Sequence, residues 1–269
     1  MRKPLLIRGA RQVGKSSAIR HFGKEFKYFA EVNFERHKAI KSFFQGDIDV
    51  HLIAQKIASY INVPIKEGET LLFFDEIQEC PDAIMALRFF KEDYPELHVI
   101  AAGSLLEFTL QELPTFGVGR IHSLFMYPMT FDEFLVANQE TGLIAMRQKA
   151  DSQHPLDTAF HEKLIELFRI YLLVGGMPEA VLAWIKTKNF NDCRQIQEDI
   201  VLTYEDDFSK YKKRVNPDLL RVTMRGICHQ VGGKLTFKQI SSDYRSSQIR
   251  EALRLLTLAG ITSPVVATS

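Results

Sequence analysis

The sequence predicts an α/β fold with a parallel sheet followed by a helical region, on three observations. Short apolar runs recur at residues 5–8, 71–74 and 99–102, each ending at a glycine or an acid pair. Segments of helical apolar spacing stand between them. From Phe131 onward the runs stop and helical spacing takes over. A parallel strand buried on both faces reads as a continuous apolar run, and helices between such strands supply the crossovers.

Taken in order, residues 5–8 form a buried strand that ends at Gly9, and a helix starts near Lys15 and runs through His21. Residues 28–34 are a second strand. Residues 48–60 are a helix, because Val50, Ile53, Ile57 and Ile61 recur at three or four. Residues 71–74 are a third strand, 82–94 a helix, 99–102 a fourth strand and 123–126 a fifth. Beyond these, 131–138, 158–173, 179–186 and 193–208 read as helices, and the polar stretch 139–155 reads as a loop. Asn216-Pro217 punctuates the chain and opens a further unit. The expected division is therefore 1–130, 131–208 and 209–269.

The bulk numbers set limits. With 269 residues, 46% of them hydrophobic, the chain has ample material for a core. Its three cysteines, Cys80, Cys193 and Cys228, form no CxxC, so neither a zinc site nor a disulfide framework is indicated, and a reducing cytoplasm fits. The apolar run at the N-terminus is too short for a signal peptide, and no stretch approaches the ~18 apolar residues of a membrane span. The net charge of +1 hides an asymmetry: residues 209–269 carry 11 Lys and Arg against 3 Asp and Glu, while the residues before them carry 23 against 30. Either the C-terminal part meets an anionic partner, or it docks on the acidic first part.

Four motifs carry chemistry. Gly9-Ala-Arg-Gln-Val-Gly-Lys-Ser16 fits G-x-x-x-x-G-K-[ST], the Walker A phosphate-binding loop, set between a strand and a helix. Glycines let the backbone curl so that its N–H groups face phosphates, and the following helix N-terminus adds partial positive charge. Gly9, Ala10, Arg11, Gln12, Val13, Gly14, Lys15, Ser16 and Ser17 are the expected nucleotide-binding residues, with Lys15 on the β- and γ-phosphates and the Ser16 hydroxyl on Mg²⁺. Leu71-Leu-Phe-Phe-Asp-Glu76 has the Walker B form, some sixty residues after Lys15. Asp75 is expected to hold Mg²⁺ through its water shell, and Glu76 to polarise the attacking water as general base. Ser104, after the strand at 99–102, is expected to help position that water, with a helix N-cap as the plainer alternative. Arg120, in Gly117-Val-Gly-Arg, is the fourth: a cation for transition-state charge, supplied in cis or by a neighbouring copy, or a surface arginine. Arg8 and Arg11 are lesser candidates for that cation. ATP and Mg²⁺ are the expected cofactors, and the absence of N-K-x-D leans away from GTP.

Together with Ala102-Gly-Ser-Leu-Leu, Tyr127-Pro-Met-Thr-Phe-Asp-Glu-Phe-Leu and Gly175-Gly-Met-Pro-Glu-Ala, these motifs resemble a family of prokaryotic AAA+-type P-loop ATPases, related to archaeal ATPases. The resemblance runs from Arg2 to about Ala259 and implies a P-loop NTPase sheet, with the loop-bearing strand between its neighbours, then a helical lid and a winged-helix-like unit. It carries Lys15, Ser16, Asp75, Glu76 and Ser104 at matching positions, and Arg120 in the family's Gly-Arg. Family members usually have residues before the first strand and continue past position 269 into a nuclease-like domain, so the resemblance implies a shortened version.

Phe237 to Gly260 reads as helix, turn, helix, with Ser246 or Ser247 as cap, Ile249, Leu253 and Leu256 as apolar stripe, and Arg245, Arg250 and Arg254 exposed. Such a second helix either enters a major groove of DNA or packs on protein, its arginine stems covering the core. The expectation is an ATP-hydrolysing AAA+-like ATPase whose nucleotide state drives conformational change, with ATP/ADP, DNA and further copies of the chain as partners. The alternatives are a slow regulatory switch and a DNA-binding module with nucleotide as structural ligand.

Overall fold

The structure, a computed structural model, describes residues 2–104, 106–113, 119–211 and 215–265. Leu105, Gly117-Val118 and Val266 to Ser269, which figure in the sequence reading, lie outside these residues. By contacts the chain forms two units, Met1–Met126 with Leu253–Ser269, and Tyr127–Ala252. The division differs from the tripartite one expected: residues 131–208 and 209–252 stay together, and the C-terminal segment joins the first unit.

The first unit holds five strands, β1 (Leu5–Arg8), β2 (Tyr28–Asn33), β3 (Thr70–Asp75), β4 (His98–Ala102) and β5 (His122–Phe125), in the order β2-β3-β4-β1-β5. All neighbours are parallel. The helices between them are α1 (Lys15–Phe22), α2 (Val50–Ile61), α3 (Pro81–Asp93) and α4 (Leu106–Glu112). β3 is buried at all six positions, because it has a strand on each side and a packed layer on each face. The two-residue period sorts its side chains: Leu72 and Phe74 join one core with Leu6, Val32, Ile57 and Phe90, while Leu71 and Phe73 join another with Ile7, Ile19 and Ile100. Phe34, Phe44 and Phe90 pack around Phe74 at ring separations of 5.7 to 5.9 Å, so the Phe43-Phe44 and Phe89-Phe90 pairs serve the core.

Local chemistry starts the helices. Asp49 caps α2 by accepting from the His51 and Leu52 amides at 2.9 and 3.0 Å, and Pro81 opens α3.

In the second unit the helices are α5 (Phe131–Ala137), α6 (Thr141–Lys149), α7 (Thr158–Val174), α8 (Pro178–Thr187), α9 (Phe190–Asp207), α10 (Pro217–Cys228), α11 (Phe237–Ile240) and most of α12 (Ser246–Leu258). Phe134, Val174, Val181, Trp184 and Cys193 form its core. A capping box starts α5: the Glu133 amide donates to Thr130 Oγ1 at 3.3 Å and the Thr130 amide to Glu133 Oε2 at 2.7 Å. The Gly175-Gly-Met-Pro motif is the turn between α7 and α8. It is tied to Tyr127-Pro-Met-Thr, since the Met129 amide donates to the Gly176 carbonyl at 2.7 Å, and a side chain at 176 would stand 2.2 Å from the Met129 carbonyl oxygen. Thus two segments singled out in the sequence are one joint.

One expectation is corrected and one is left unestablished. The stretch 139–155 contains α6, a surface helix whose only buried residue is Leu143, so it has almost no apolar face for periodicity to detect. A winged-helix unit is not established: α11 and α12 give the helix-turn-helix, but no strand occurs among the described residues after Phe125. The stripe of α12 is Ile249, Ala252, Leu255 and Leu256, with Leu253 only half-buried, while Arg245, Arg250 and Arg254 are exposed as expected.

Candidate functional site

At the carboxyl edge of β1 the chain turns into residues 9–16 with three left-handed or otherwise glycine-type conformations. Gly9 has φ +138, and a side chain there would fall 2.1 Å from the Met126 carbonyl oxygen. Gln12 has φ +64, and Gly14, with φ +94, is the residue before α1. No side chain caps α1 and no acid lies in its first turn. Its leading amides and the positive end of its dipole are thereby left for an external anion.

Lys15 is only 7% exposed and folds back across the loop, donating to the Gly9 and Ala10 carbonyls at 2.9 and 2.7 Å. Burial pulls its ammonium down to about 8, against the opposing pull of Glu76 and Asp75. Arg11 adds a smaller like-charge push in the same direction as burial. Gly260 reaches this loop from the C-terminal segment: it has φ +73, and a side chain there would stand 3.0 Å from the Ala10 nitrogen.

β3 delivers Asp75 to the other wall. Asp75 is 4% exposed and surrounded by donors. The Ser16 hydroxyl donates to its Oδ1 at 2.8 Å, Asn33 Nδ2 to its Oδ2 at 3.1 Å, and Arg20 lies 3.3 Å from Oδ2. Arg20 is itself held by Glu31 at 2.7 Å. Glu76 follows in the left-handed region, φ 50 and ψ 46, which turns the chain sharply off the strand. Its Oε2 accepts from Gln78 Nε2 at 2.7 Å and from the Ser104 hydroxyl at 3.3 Å. Lys15, Ser16, Asp75, Glu76 and Ser104 are thus brought together as neighbours.

Arg120 is not brought to them. It precedes β5, at the amino edge of a parallel sheet, whereas the loop follows β1 at the carboxyl edge. Its guanidinium pairs with Glu92 near the end of α3. Arg8 pairs with Glu107 and stacks on Phe125 at 4.5 Å. Sequence reading missed Asn33, Arg20 and Gln78. Asn33 stands opposite Asp75 in the register of β2 and β3, and Arg20 lies four residues beyond Ser16 on α1. The helical spacing of Arg20 was readable; the cross-strand partner of Asp75 was not.

Residues 1–135 match the family model of the AAA domain. The chain belongs to the AAA domain family. Residues 165–269 match a second model, a domain of unknown function. No curated protein matches the chain. Among solved structures, it is similar to a Walker-type ATPase of Pyrococcus abyssi at 15% identity and TM-score 0.56, over 95% of this chain and 84% of that one. A replication initiator DnaA bound to AMPPCP and single-stranded DNA aligns at 13% identity and TM-score 0.41, over 95% and 79% of the two chains. Cdc6p of Pyrobaculum aerophilum aligns at 15% identity and TM-score 0.35, over 96% and 80%. The AAA domain and the first likeness agree with the parallel α/β P-loop sheet described above.

The residues present fit a magnesium–nucleotide pair. Gly9 and Gly14 hold the loop in glycine-type backbone conformations ahead of the uncapped first turn of α1, and a hydroxyl and a carboxylate lie 2.8 Å apart as hard oxygen donors. Magnesium binds through one or two carboxylates plus phosphates and retained waters, so no cluster of protein ligands is required. No group of three or more His, Cys, Asp or Glu that could hold a metal occurs among the described residues. No helix among them is long and apolar enough to cross a membrane.

Proposed function

We propose that this AAA-domain chain binds ATP with Mg²⁺ and hydrolyses it. The observation that carries the reading is the bond between the Ser16 hydroxyl and Asp75, 2.8 Å, which joins the phosphate loop to the carboxylate of the neighbouring acid pair. Residues 9–17 would wrap the phosphates with backbone N–H groups. Lys15 would leave the Gly9 and Ala10 carbonyls for the β- and γ-phosphoryl oxygens. Ser16 and Asp75 would hold Mg²⁺, which neutralises charge developing on the phosphoryl group. Glu76 would accept a hydrogen bond from the attacking water and take its proton, with Ser104 steadying the carboxylate.

Phosphate release under multiple turnover tests this. The parent chain is expected to cycle, and Glu76→Gln to bind ATP as tightly while losing about a hundredfold or more in kcat, in the range of general-base contributions. Equal turnover in Glu76→Gln contradicts the assignment.

A coupling to DNA is the second part of the proposal, and α12 favours it. Arg245, Arg250 and Arg254 are exposed on or beside it, in a region with 11 basic against 3 acidic residues. Part of that charge is already spent inside the unit, since Arg225 and Arg221 pair with Glu205 at 3.0 and 3.7 Å, and Arg221 with Asp218 at 2.7 Å.

A further inference from the structure

We infer that Gln78 is a positioning residue that holds the Glu76 carboxylate in one orientation, with Gly103 as the gap that seats it. The inference rests on the ATP-hydrolysing reading above. The left-handed Glu76 turns the chain into a short helical turn, Ile77–Glu79, and brings Gln78 back beneath the carboxylate of Glu76. That turn is rigid: Ile77 is fully buried, and the Glu79 and Cys80 amides bond back to the Glu76 and Ile77 carbonyls at 3.0 and 2.9 Å. Gln78 Nε2 then donates to Glu76 Oε2 at 2.7 Å, shorter than the 3.3 Å bond from Ser104.

The other end of the amide distinguishes this arrangement from ordinary packing. Gln78 Oε1 is buried and accepts no hydrogen bond from the described residues. A buried acceptor left without a partner lowers stability, so internal hydrogen bonding alone does not account for the placement of this amide. The oxygen points at Gly103, where a side chain would fall 2.0 Å from it. The Gln of Asp-Glu-Ile-Gln and the Gly of Ala-Gly-Ser are therefore one device, split between the ends of β3 and β4. Both donors fall on Oε2 of Glu76, which leaves Oε1 as the oxygen to face water. A carboxylate fixed this way needs no reorientation when the nucleotide is in place.

Steady-state kinetics and nucleotide binding on five variants test the inference, the parent and Glu76→Gln being assayed first. Gln78→Met keeps the volume and removes both the donor and the orphaned acceptor. It is expected to melt no lower than the parent and to bind ATP within about twofold, yet to lose about tenfold or more in kcat. Gly103→Ala should lose kcat by displacing the amide, and Gln78→Ala combined with Gly103→Ala should be no worse than Gln78→Ala alone, because the two act through one contact. In a Glu76→Gln background Gln78→Met should cost nothing further. Parent-like kcat in Gln78→Met, a loss confined to KM, or the same loss in the Glu76→Gln background overturns the inference. A parent chain without Glu76-dependent turnover overturns the hydrolytic reading along with it, so the two failures are told apart.

Discussion

Lys15 carries a charge into a site from which solvent is almost excluded, and its only described hydrogen-bond partners are two carbonyls of its own loop. With its ammonium pulled from 10.5 to about 8, the charged form is less favoured in the empty loop than in water. Below pH 8 folded and unfolded chains both hold the proton, so the folded state bears the full penalty of burying the charge; that penalty fades as pH rises from 8 to 10.5. A bound phosphate reverses the preference and restores the proton. At pH 8 ATP binding is therefore expected to take up about half a proton per site, and the affinity to weaken as pH rises above 8. Calorimetry in buffers of different ionisation enthalpy reads the uptake. A binding enthalpy independent of buffer would show that the ammonium does not titrate with binding.

At the level of elements, the parallel sheet was legible because β3, an interior strand, carries the apolar run Leu71 to Phe74 and ends in Asp75-Glu76, a pattern that needs no partner to be recognised. The phosphate loop was legible for the same reason: its glycines, lysine and serine are adjacent in sequence. The contacts that complete the site were not, because they join distant segments. Asn33 reaches Asp75 from another strand, Gln78 meets Gly103 across the sheet edge, and Gly260 arrives from the C-terminal segment. The helix α6 was missed for want of an apolar face. Gly176→Ala places a methyl group against the Met129 carbonyl and should destabilise by about 1–3 kcal/mol, read as a lower thermal midpoint. Thr130→Ala removes the capping box of α5 and should cost about 1 kcal/mol by the same reading, while Gly142→Ala, in α6 with nothing within 4 Å, should leave the midpoint unchanged or raise it.

For the whole molecule, charge is divided unevenly along the chain, and the two ends of the sheet carry different chemistry. Arg120 lies at the amino edge, paired with Glu92, so Arg120→Ala should leave the turnover of dilute chain unchanged. A loss that appears only as protein concentration rises would assign the arginine to a neighbouring copy's site. The exposed arginines on or beside α12 predict a DNA affinity that falls roughly tenfold or more between 50 and 200 mM salt, with a slope near 0.9 per phosphate neutralised. Removing Arg245 and Arg250 together should flatten that slope by about two.

Everything proposed for catalysis presupposes that residues 9–16 hold a polyphosphate against Asp75. Equilibrium titration of a fluorescent ATP analogue, with and without Mg²⁺, into the parent and Lys15→Ala measures this most directly. The account predicts saturable binding that Mg²⁺ strengthens and that Lys15→Ala weakens by about a hundredfold, the ~3 kcal/mol expected of a charge-assisted bond to phosphate. Equal affinity in the two proteins, indifferent to Mg²⁺, would contradict it.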